Sequence, residues 1–347
     1  MVKIIEIENE FEWLKYRGTG IGASEASTLF GLNPYKSKLE FHHEKVGFKP
    51  MSFKQNLRML YGHATEQLNS NLIMAWNGDK GTHASNIQKG ITFRTCTKLP
   101  EKAFIGNDKY PNIFVSPDRE IFDAAISKTE TGSLECKDTS AMVLNAYHDK
   151  IAPSHIFQLK TQMMVWEKDF GFLSYIIDAG RDYAEHLFYR DGVIFDDVRN
   201  NRRITEDDLA TEVKEFWEGV ILARELNHKI MVAKQQFQYD KAAEYQMLLD
   251  QVEPEPDFLL AYESYMKESY YTFAKPKIER QGTEADELAA ENFLKTKEQM
   301  KIAEELHQKE RNNILNLCKT GHKIILPSKG YIEVNATKNG TLIKVKN

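Results

Sequence analysis

A chain of 347 residues with 41% hydrophobic and 28% charged residues can bury a sizeable core and has an ordinary globular balance. No apolar run approaches the ~18 residues of a membrane span, and the acidic start MVKIIEIENEFEWLKYR does not read as a signal peptide. Three scattered cysteines, Cys96, Cys136 and Cys318, argue against a disulfide framework or a four-cysteine metal site and fit a reducing cytoplasm, while a net charge of −5 counts mildly against a nucleic-acid binder unless a local groove carries the contact.

Residues 2–7 (VKIIEI) predict a short strand. Residues 18–31 (GTGIGASEASTLFG) predict a glycine-rich loop entering a short helix, capped by Ser24 with Ala26, Leu29 and Phe30 behind it. Residues 54–76 predict a long helix whose stripe Leu57, Leu60, Ala64, Leu68, Leu72 and Ala75 faces the core, with Glu66 on the other side. Strands follow at 91–95, 112–123 and 132–137. A helix at 154–168, entered by Pro153 and Ser154, carries the core stripe Ile156, Leu159, Met163 and Trp166, and a strand follows at 171–178. This order predicts one mixed α/β domain over residues 1–200. Beyond it, 205–250 is charged and helical, EPEPD at 253–257 breaks the chain, 284–317 is a second charged helix, and 322–346 reads as short strands in a hairpin or meander. Residues 201–347 therefore read as a helical extension ending in strands.

The chemistry centres on GSLECKDTS, residues 132–140. In a strand, Glu135 and Lys137 share one face. Upstream, Asp118 follows Pro117, and a strand–turn–strand pattern can bring it beside Glu135. Two carboxylates and the backbone carbonyl of Cys136 are hard oxygen donors suited to Mg²⁺ or Mn²⁺. Lys137 can then orient a water molecule and help deprotonate it. Glu-x-Lys alone says little, because Glu212 and Lys214 repeat it in a charged helical stretch that reads as a solvated face. Pro256–Asp257 repeats the other half, with no Glu-x-Lys at a comparable distance after it. From these residues alone, a metal site and an exposed ion pair weigh evenly.

Other features read more plainly. The loop G-T-G-I-G-A is close to a dinucleotide fingerprint but lacks a preceding strand and a following βαβ unit. His42 and His43, beside Glu44, read as helix-surface residues rather than a zinc site. Trp13, Tyr16 and Tyr35 flank the loop and either stack on DNA ends or pack in the core.

The order Arg17, IGAS at 21–24, Gly62 with Glu66, SPD at 116–118, ECK at 135–137 and Gln158 with Gln162 resembles the YqaJ-like family of viral recombinase nucleases, related to phage lambda exonuclease. It covers about residues 14–178 and includes GLNPYKSKLEFHHEKVG at 31–47; the tail at 284–347 resembles the family's C-terminal helix and small strands more weakly. The resemblance implies a restriction-endonuclease-like PD-(D/E)xK fold, an α/β (α+β) core with a mixed central sheet flanked by helices. It implies a Mg²⁺-dependent DNA exonuclease of the phage recombination type, with Mn²⁺ as a substitute, digesting duplex ends 5′ to 3′. It also implies a phage- or prophage-encoded protein in the bacterial cytoplasm, with a single-strand annealing protein as partner and a ring-shaped homo-oligomer.

Carried over by motif, Asp118 and Glu135 become metal ligands, with the Cys136 carbonyl. Lys137 becomes the catalytic lysine, and Glu66 and Gln158 supporting members of the site. Arg17 and Ser24 fall near the DNA 5′ phosphate, and Gln162 and Arg119 at the DNA. From the residues alone, Glu66 is an exposed helix glutamate, Gln158 and Gln162 flank a buried stripe, Arg17 is a surface cation and Ser24 a cap. Two positions depart from the family: Arg119 replaces a glycine, so it either crowds the turn or contacts a phosphate, and Glu25 replaces an aspartate. The alternatives are a non-catalytic DNA-end-binding module and a sequence-specific endonuclease on the same fold.

Overall fold

The computed structural model describes residues 1–49, 57–75, 94–100, 103–147, 150–197, 201–255, 261, 265, 284–317, 323–326, 330–337 and 340–346. The ends of the predicted 54–76 helix, most of the 91–95 strand, Pro256–Asp257 and Cys318 lie outside the described residues. The chain forms two compact units, Met1–Thr272 and Phe273–Asn347.

The first unit opens with β1 (Val2–Glu6), α1 (Glu10–Arg17), β2 (Ile21–Gly22), α2 (Ala23–Ala26), α3 (Lys38–Val46) and α4 (Leu57–Ala75). Then come β3 (Arg94–Lys98), β4 (Ala103–Asn107), β5 (Ile113–Val115), β6 (Arg119–Asp123), β7 (Thr131–Thr139), α5 (Ala141–Leu144) and α6 (Pro153–Trp166). It closes with β8 (Phe170–Ile177), β9 (Asp182–Tyr189), β10 (Val193–Asp197), β11 (Arg202–Thr205), α7 (Glu206–Gln235) and α8 (Tyr239–Val252). A five-stranded sheet runs β3-β6-β7-β8-β9, and a four-stranded sheet runs β1-β4-β5-β2. Both are mixed: β7 pairs β8 in parallel, β2 pairs β5 in parallel, and the other pairs are antiparallel. This is the mixed α/β architecture that the element order predicts.

A parallel pair needs a long crossover, and α6 lies within the one joining β7 to β8. One side of α6 places Phe157, Met164 and Val165 in the main core with Ile21, Phe41 and Ile105. Its other side packs Leu159 and Met163 on Leu173 and Tyr175 of the five-stranded sheet. The helix is therefore buried nearly all round, rather than along the single stripe expected. Gly132 sets the seating of β7: a Cβ there would stand 2.5 Å from the Phe170 ring.

The segment expected as one strand at 112–123 breaks at Pro117 and Asp118. Proline lacks the N–H a sheet ladder requires, and the chain passes there from the four-stranded sheet (β5) to the five-stranded one (β6).

Helix α4 reverses its predicted orientation. Leu57 is 82% exposed, and Leu60 and Leu68 are also exposed, whereas Asn69, Ser70 and Ile73 are buried. The buried face is mixed: Ile73 packs with Phe170 and Phe172 of the sheet, and Asn69 and Ser70 bring polar groups to it. Asn69 Nδ2 donates to the carbonyls of Ser174 (2.9 Å) and Lys137 (3.1 Å), and the Ser174 hydroxyl donates to Asn69 Oδ1. A buried amide with its hydrogen bonds made avoids the penalty of an unpaired one, so the Asn69 bonds and the packing of Ile73 together set this face, not the predicted stripe.

Helix α7 packs Leu209, Val213, Phe216, Trp217 and Val220 into the same core as Ile21 and Phe157, and Phe216 stacks on Phe41 at 5.2 Å. The domain boundary expected at residue 200 thus falls inside the first unit. This packing also covers α3. His42 and His43, expected at the surface, are buried. Burial and the neighbouring His43 hold the His42 imidazole down to about 4, so it is neutral. His43 Nε2 sits 2.8 Å from Glu253 and its Nδ1 contacts the Tyr265 hydroxyl. Trp13 and Tyr16 stack on Phe104 and serve the core, while Tyr35 is exposed. Glu212, expected on a solvated face, pairs with Lys38.

The second unit contains α9 (Glu284–Leu317) and an antiparallel sheet of β12 (Lys323–Leu326), β13 (Gly330–Thr337) and β14 (Gly340–Lys346), the meander that was expected. Among the described residues no helix is long and apolar enough to cross a membrane.

Candidate active site

The β6–β7 hairpin pairs Arg119 with Leu134, which sets Asp118, at the mouth of β6, beside the middle of β7. Asp118 Oδ2 accepts from the Cys136 N–H at 2.7 Å. Helix α4 closes the other side through Asn69, which brings Glu66 to the same place. Glu66, Asn69, Asp118, Glu135, Cys136 and Lys137 line a cavity of about 360 Å³.

Helix α6 forms the floor. Gln158 and Gln162 lie one turn apart and each donates to Glu135: Gln158 Nε2 to Oε1 and Gln162 Nε2 to Oε2, both at 2.6 Å. Lys137 Nζ also donates to Glu135 Oε1, and to Gln158 Oε1 at 3.0 Å. Gln162 Oε1 accepts from the Ser133 hydroxyl at 2.9 Å, which leaves its amide only one orientation. Glu135, 2% exposed, is thus fixed by three donors.

The electrostatics follow from crowding. Burial, and then the charge of Glu135, push the Asp118 carboxyl well above the usual range; Lys137 offsets only part of this. Burial alone would lower Lys137, but Glu135 and Asp118 outweigh it and raise it. Burial, with Asp118 and Glu135, pushes the Cys136 thiol well up, and its side chain packs against the apolar cluster of Ile73, Ile121 and Leu134, which leaves its carbonyl as the oxygen donor.

This arrangement fits a hard divalent cation. Two carboxylates crowd one cavity, and a cation between them would remove the repulsion that raises Asp118. A carboxylate has about four lone-pair sites. Glu135 uses three of them, and Asp118 accepts one hydrogen bond from the described residues. No group of three His, Cys, Asp or Glu side chains able to hold a metal occurs among the described residues. The remaining donors would be the Cys136 carbonyl and water.

The expected site residues separate into three groups. Glu66, Asp118, Glu135, Cys136 and Lys137 meet in one cavity, with Gln158 and Gln162 bound to it. Arg17, Ser24, Gln158 and Gln162 line a second cavity of about 70 Å³, together with Trp13 and Ser116. Arg119, expected at the DNA, is only 4% exposed. Its guanidinium pairs with Glu66 and donates to the Asp118 carbonyl (2.6 Å) and Gln67 Oε1 (3.3 Å). It neither meets solvent nor crowds the turn, because its side chain has turned toward α4.

In the second cavity the cap assignment changes. Gly22, not Ser24, precedes α2, and Glu25 accepts from the Gly22 N–H at 3.0 Å. Ser24 is exposed within the helix. Arg17 Nη2 donates to Glu25 Oε1 (2.7 Å), and Lys45 Nζ donates to Glu25 Oε2 (3.0 Å) and to the Arg17 carbonyl (2.8 Å).

Four contributors were not expected from the sequence: Asn69, Lys45, His155 and Tyr175. Tyr175 pairs with Lys137 in the β7–β8 register, and its hydroxyl lies 2.9 Å from His155 Nδ1. Burial, and then the Lys137 ammonium, hold His155 down to about 3, so a neutral imidazole stands behind the site. The one available signal for His155 was its position a helical turn before Gln158.

Residues 12–169 match the YqaJ-like viral recombinase domain, which bears out the resemblance read from the motif order. The protein YqaJ of Bacillus subtilis (strain 168), itself described as uncharacterized, is 25% identical over 213 residues, or 61% of this chain and 56% of that one. The chain thus matches little more than half of that relative's length. Among solved structures, the alkaline exonuclease LHK-Exo from Laribacter hongkongensis has a TM-score of 0.42 at 17% identity, over 68% of this chain and 99% of that one. A phage related exonuclease from Haemophilus somnus 129PT has a TM-score of 0.36 at 11% identity, over 58% and 95%.

Proposed function

We propose, from the premise that residues 12–169 form a YqaJ-like viral recombinase domain, that this protein is a metal-dependent deoxyribonuclease that digests one strand of duplex DNA from a 5′ end. The observation that carries the reading is the meeting of Asp118, Glu135 and Lys137 on one cavity beside the Glu66 helix. Asp118, Glu135 and the Cys136 carbonyl would hold Mg²⁺, with Mn²⁺ as a substitute. When bound, the cation supplies Lewis acidity and charge neutralisation at the phosphodiester. Gln158 and Gln162 keep the Glu135 carboxylate in one orientation. Lys137 spends two of its three donors on Glu135 and Gln158, and the third orients the attacking water and steadies charge on the phosphoryl oxygens. Arg17 and Ser24, in the adjoining cavity, receive the 5′ phosphate and so set polarity. The single strand left behind passes to an annealing protein, and a ring of copies around the duplex would make digestion processive.

The test uses linear duplex labelled separately at each end, with and without a 5′ phosphate, in Mg²⁺, comparing wild type with Lys137→Ala. Mononucleotides should leave the 5′ strand, faster with the phosphate, and the variant should release none. Cleavage of covalently closed circles would make the protein an endonuclease. Binding of ends without cleavage in Mg²⁺ or Mn²⁺ would make it a binding module.

A further inference from the structure

We propose that Lys45 is a positioning residue for the 5′ phosphate: buried behind Arg17, it cancels the charge of Glu25, so that Arg17 presents a net positive charge to the smaller cavity. This rests on the phosphate reading of Arg17 and adds the residue that gives that site its charge. Among the described residues lining this cavity, Arg17 alone has an ionisable side chain. Its guanidinium is already engaged, because Nη2 donates to Glu25 Oε1 at 2.7 Å. By itself that pair is neutral, and its carboxylate would repel an arriving phosphate from just behind the guanidinium.

Lys45 lies in the last turn of α3, and its side chain is fully buried. Its Nζ donates to Glu25 Oε2 at 3.0 Å and to the Arg17 carbonyl at 2.8 Å, and it stands 5.0 Å from the centre of the Phe41 ring. Arg17, Lys45 and Glu25 together carry one positive charge. Two further cations nearby leave this count unchanged. Lys36 is paired with Glu44 at 2.6 Å. Arg224, which donates to the carbonyls of Gly18 and Lys45, is exposed and screened by water.

An ammonium is a costly way to fill space beside a phenylalanine ring, since apolar side chains often replace buried ion pairs without loss of stability. What an apolar side chain could not do is divide the work at Arg17. Glu25 fixes one edge of the guanidinium, and Trp13 lies under its face at 4.8 Å. These two contacts orient the group, and the carboxylate exacts a loss of charge for doing so. Lys45 restores that charge from a position that no phosphate reaches.

The experiment measures binding of the full chain, in EDTA so that no strand is cut, to a hairpin duplex with one open end, by fluorescence anisotropy. The readout is the ratio of affinities for a 5′-phosphorylated and a 5′-hydroxyl end. Wild type should prefer the phosphate roughly tenfold, as for a hydrogen bond to a charged group. Lys45→Met leaves Arg17 and Glu25 as a neutral pair and should bind both ends alike. Glu25→Gln with Lys45→Met again leaves one positive charge, and the preference should return to the wild-type value. That double variant separates charge from scaffolding, because the bond from Lys45 to the Arg17 carbonyl stays lost in it. Far-UV circular dichroism melts show which variants are folded, and where Lys45→Met is not, the double variant decides alone. A full preference in folded Lys45→Met, or none in the double variant, would overturn the inference and leave the phosphate reading intact. Equal affinities in wild type would overturn both.

Discussion

Glu25 offers a direct measure of how strongly the Arg17 loop is held. Burial alone would raise its carboxyl, but Lys45 and Arg17, with the Gly22 N–H, bring it from 4.5 down to about 2. A group depressed in the folded state stabilises the fold above its unfolded value and loses that contribution as pH falls toward the folded one. The difference of about 2.5 units, at ~1.36 kcal/mol each, gives about 3 kcal/mol at neutral pH, fading between pH 4.5 and 2. Lys45, whose side chain is fully buried, is itself lowered because its burial outweighs this attraction. Glu25→Gln should therefore cost about 3 kcal/mol at pH 7, within the ~3–5 kcal/mol of a broken buried pair, and progressively less toward pH 2. Urea unfolding of wild type and variant from pH 2 to 8 measures it as a difference, which cancels other titrating groups. Glu25→Gln with Lys45→Met should recover most of the loss. A pH-independent difference, or one below ~1 kcal/mol, would refute the reasoning.

Gln162→Leu removes the donor on Glu135 Oε2 and the acceptor for Ser133. It should cost about 2–3 kcal/mol in urea unfolding and, on the proposed function, lower the rate of DNA digestion by roughly 10–100-fold through a loosened Glu135. Asn69→Leu strips the carbonyls of Lys137 and Ser174 of their partner. It should destabilise by about 2 kcal/mol and raise hydrogen exchange along α4, and unchanged exchange there would contradict the polar docking of that helix. Gly132→Ala meets the Phe170 ring and should cost about 1–3 kcal/mol by overpacking, seen as a lower thermal midpoint.

The part of the site legible in the sequence was the part set by short-range rules. Strand alternation puts Glu135 and Lys137 on one face, and the strand–turn–strand pattern brings Asp118 beside Glu135, although the break at Pro117 within 112–123 was not read. Helical spacing joins Gln158 to Gln162. The orientation of α4 was not legible, because periodicity scores apolar side chains and its docking depends on an amide, Asn69, meeting two sheet carbonyls. Arg119 read as crowding the turn or contacting a phosphate because its direction depends on Glu66, fifty-three residues away. Tyr175 and His155 adjoin Lys137 through a parallel register that no local pattern encodes. His42 and His43 looked exposed because α7, which covers them, lies far along the chain.

Asp118 stands where the chain leaves one sheet for the other, while Glu135 sits wholly on the second sheet, and α6 packs against strands of both. The distance between the two carboxylates therefore gauges the alignment of the two sheets. A slight slip of one against the other, from a repacked Phe157 or Met164 for instance, would change the spacing of Asp118 and Glu135 and, on the proposed function, weaken cation affinity well before the fold itself gave way.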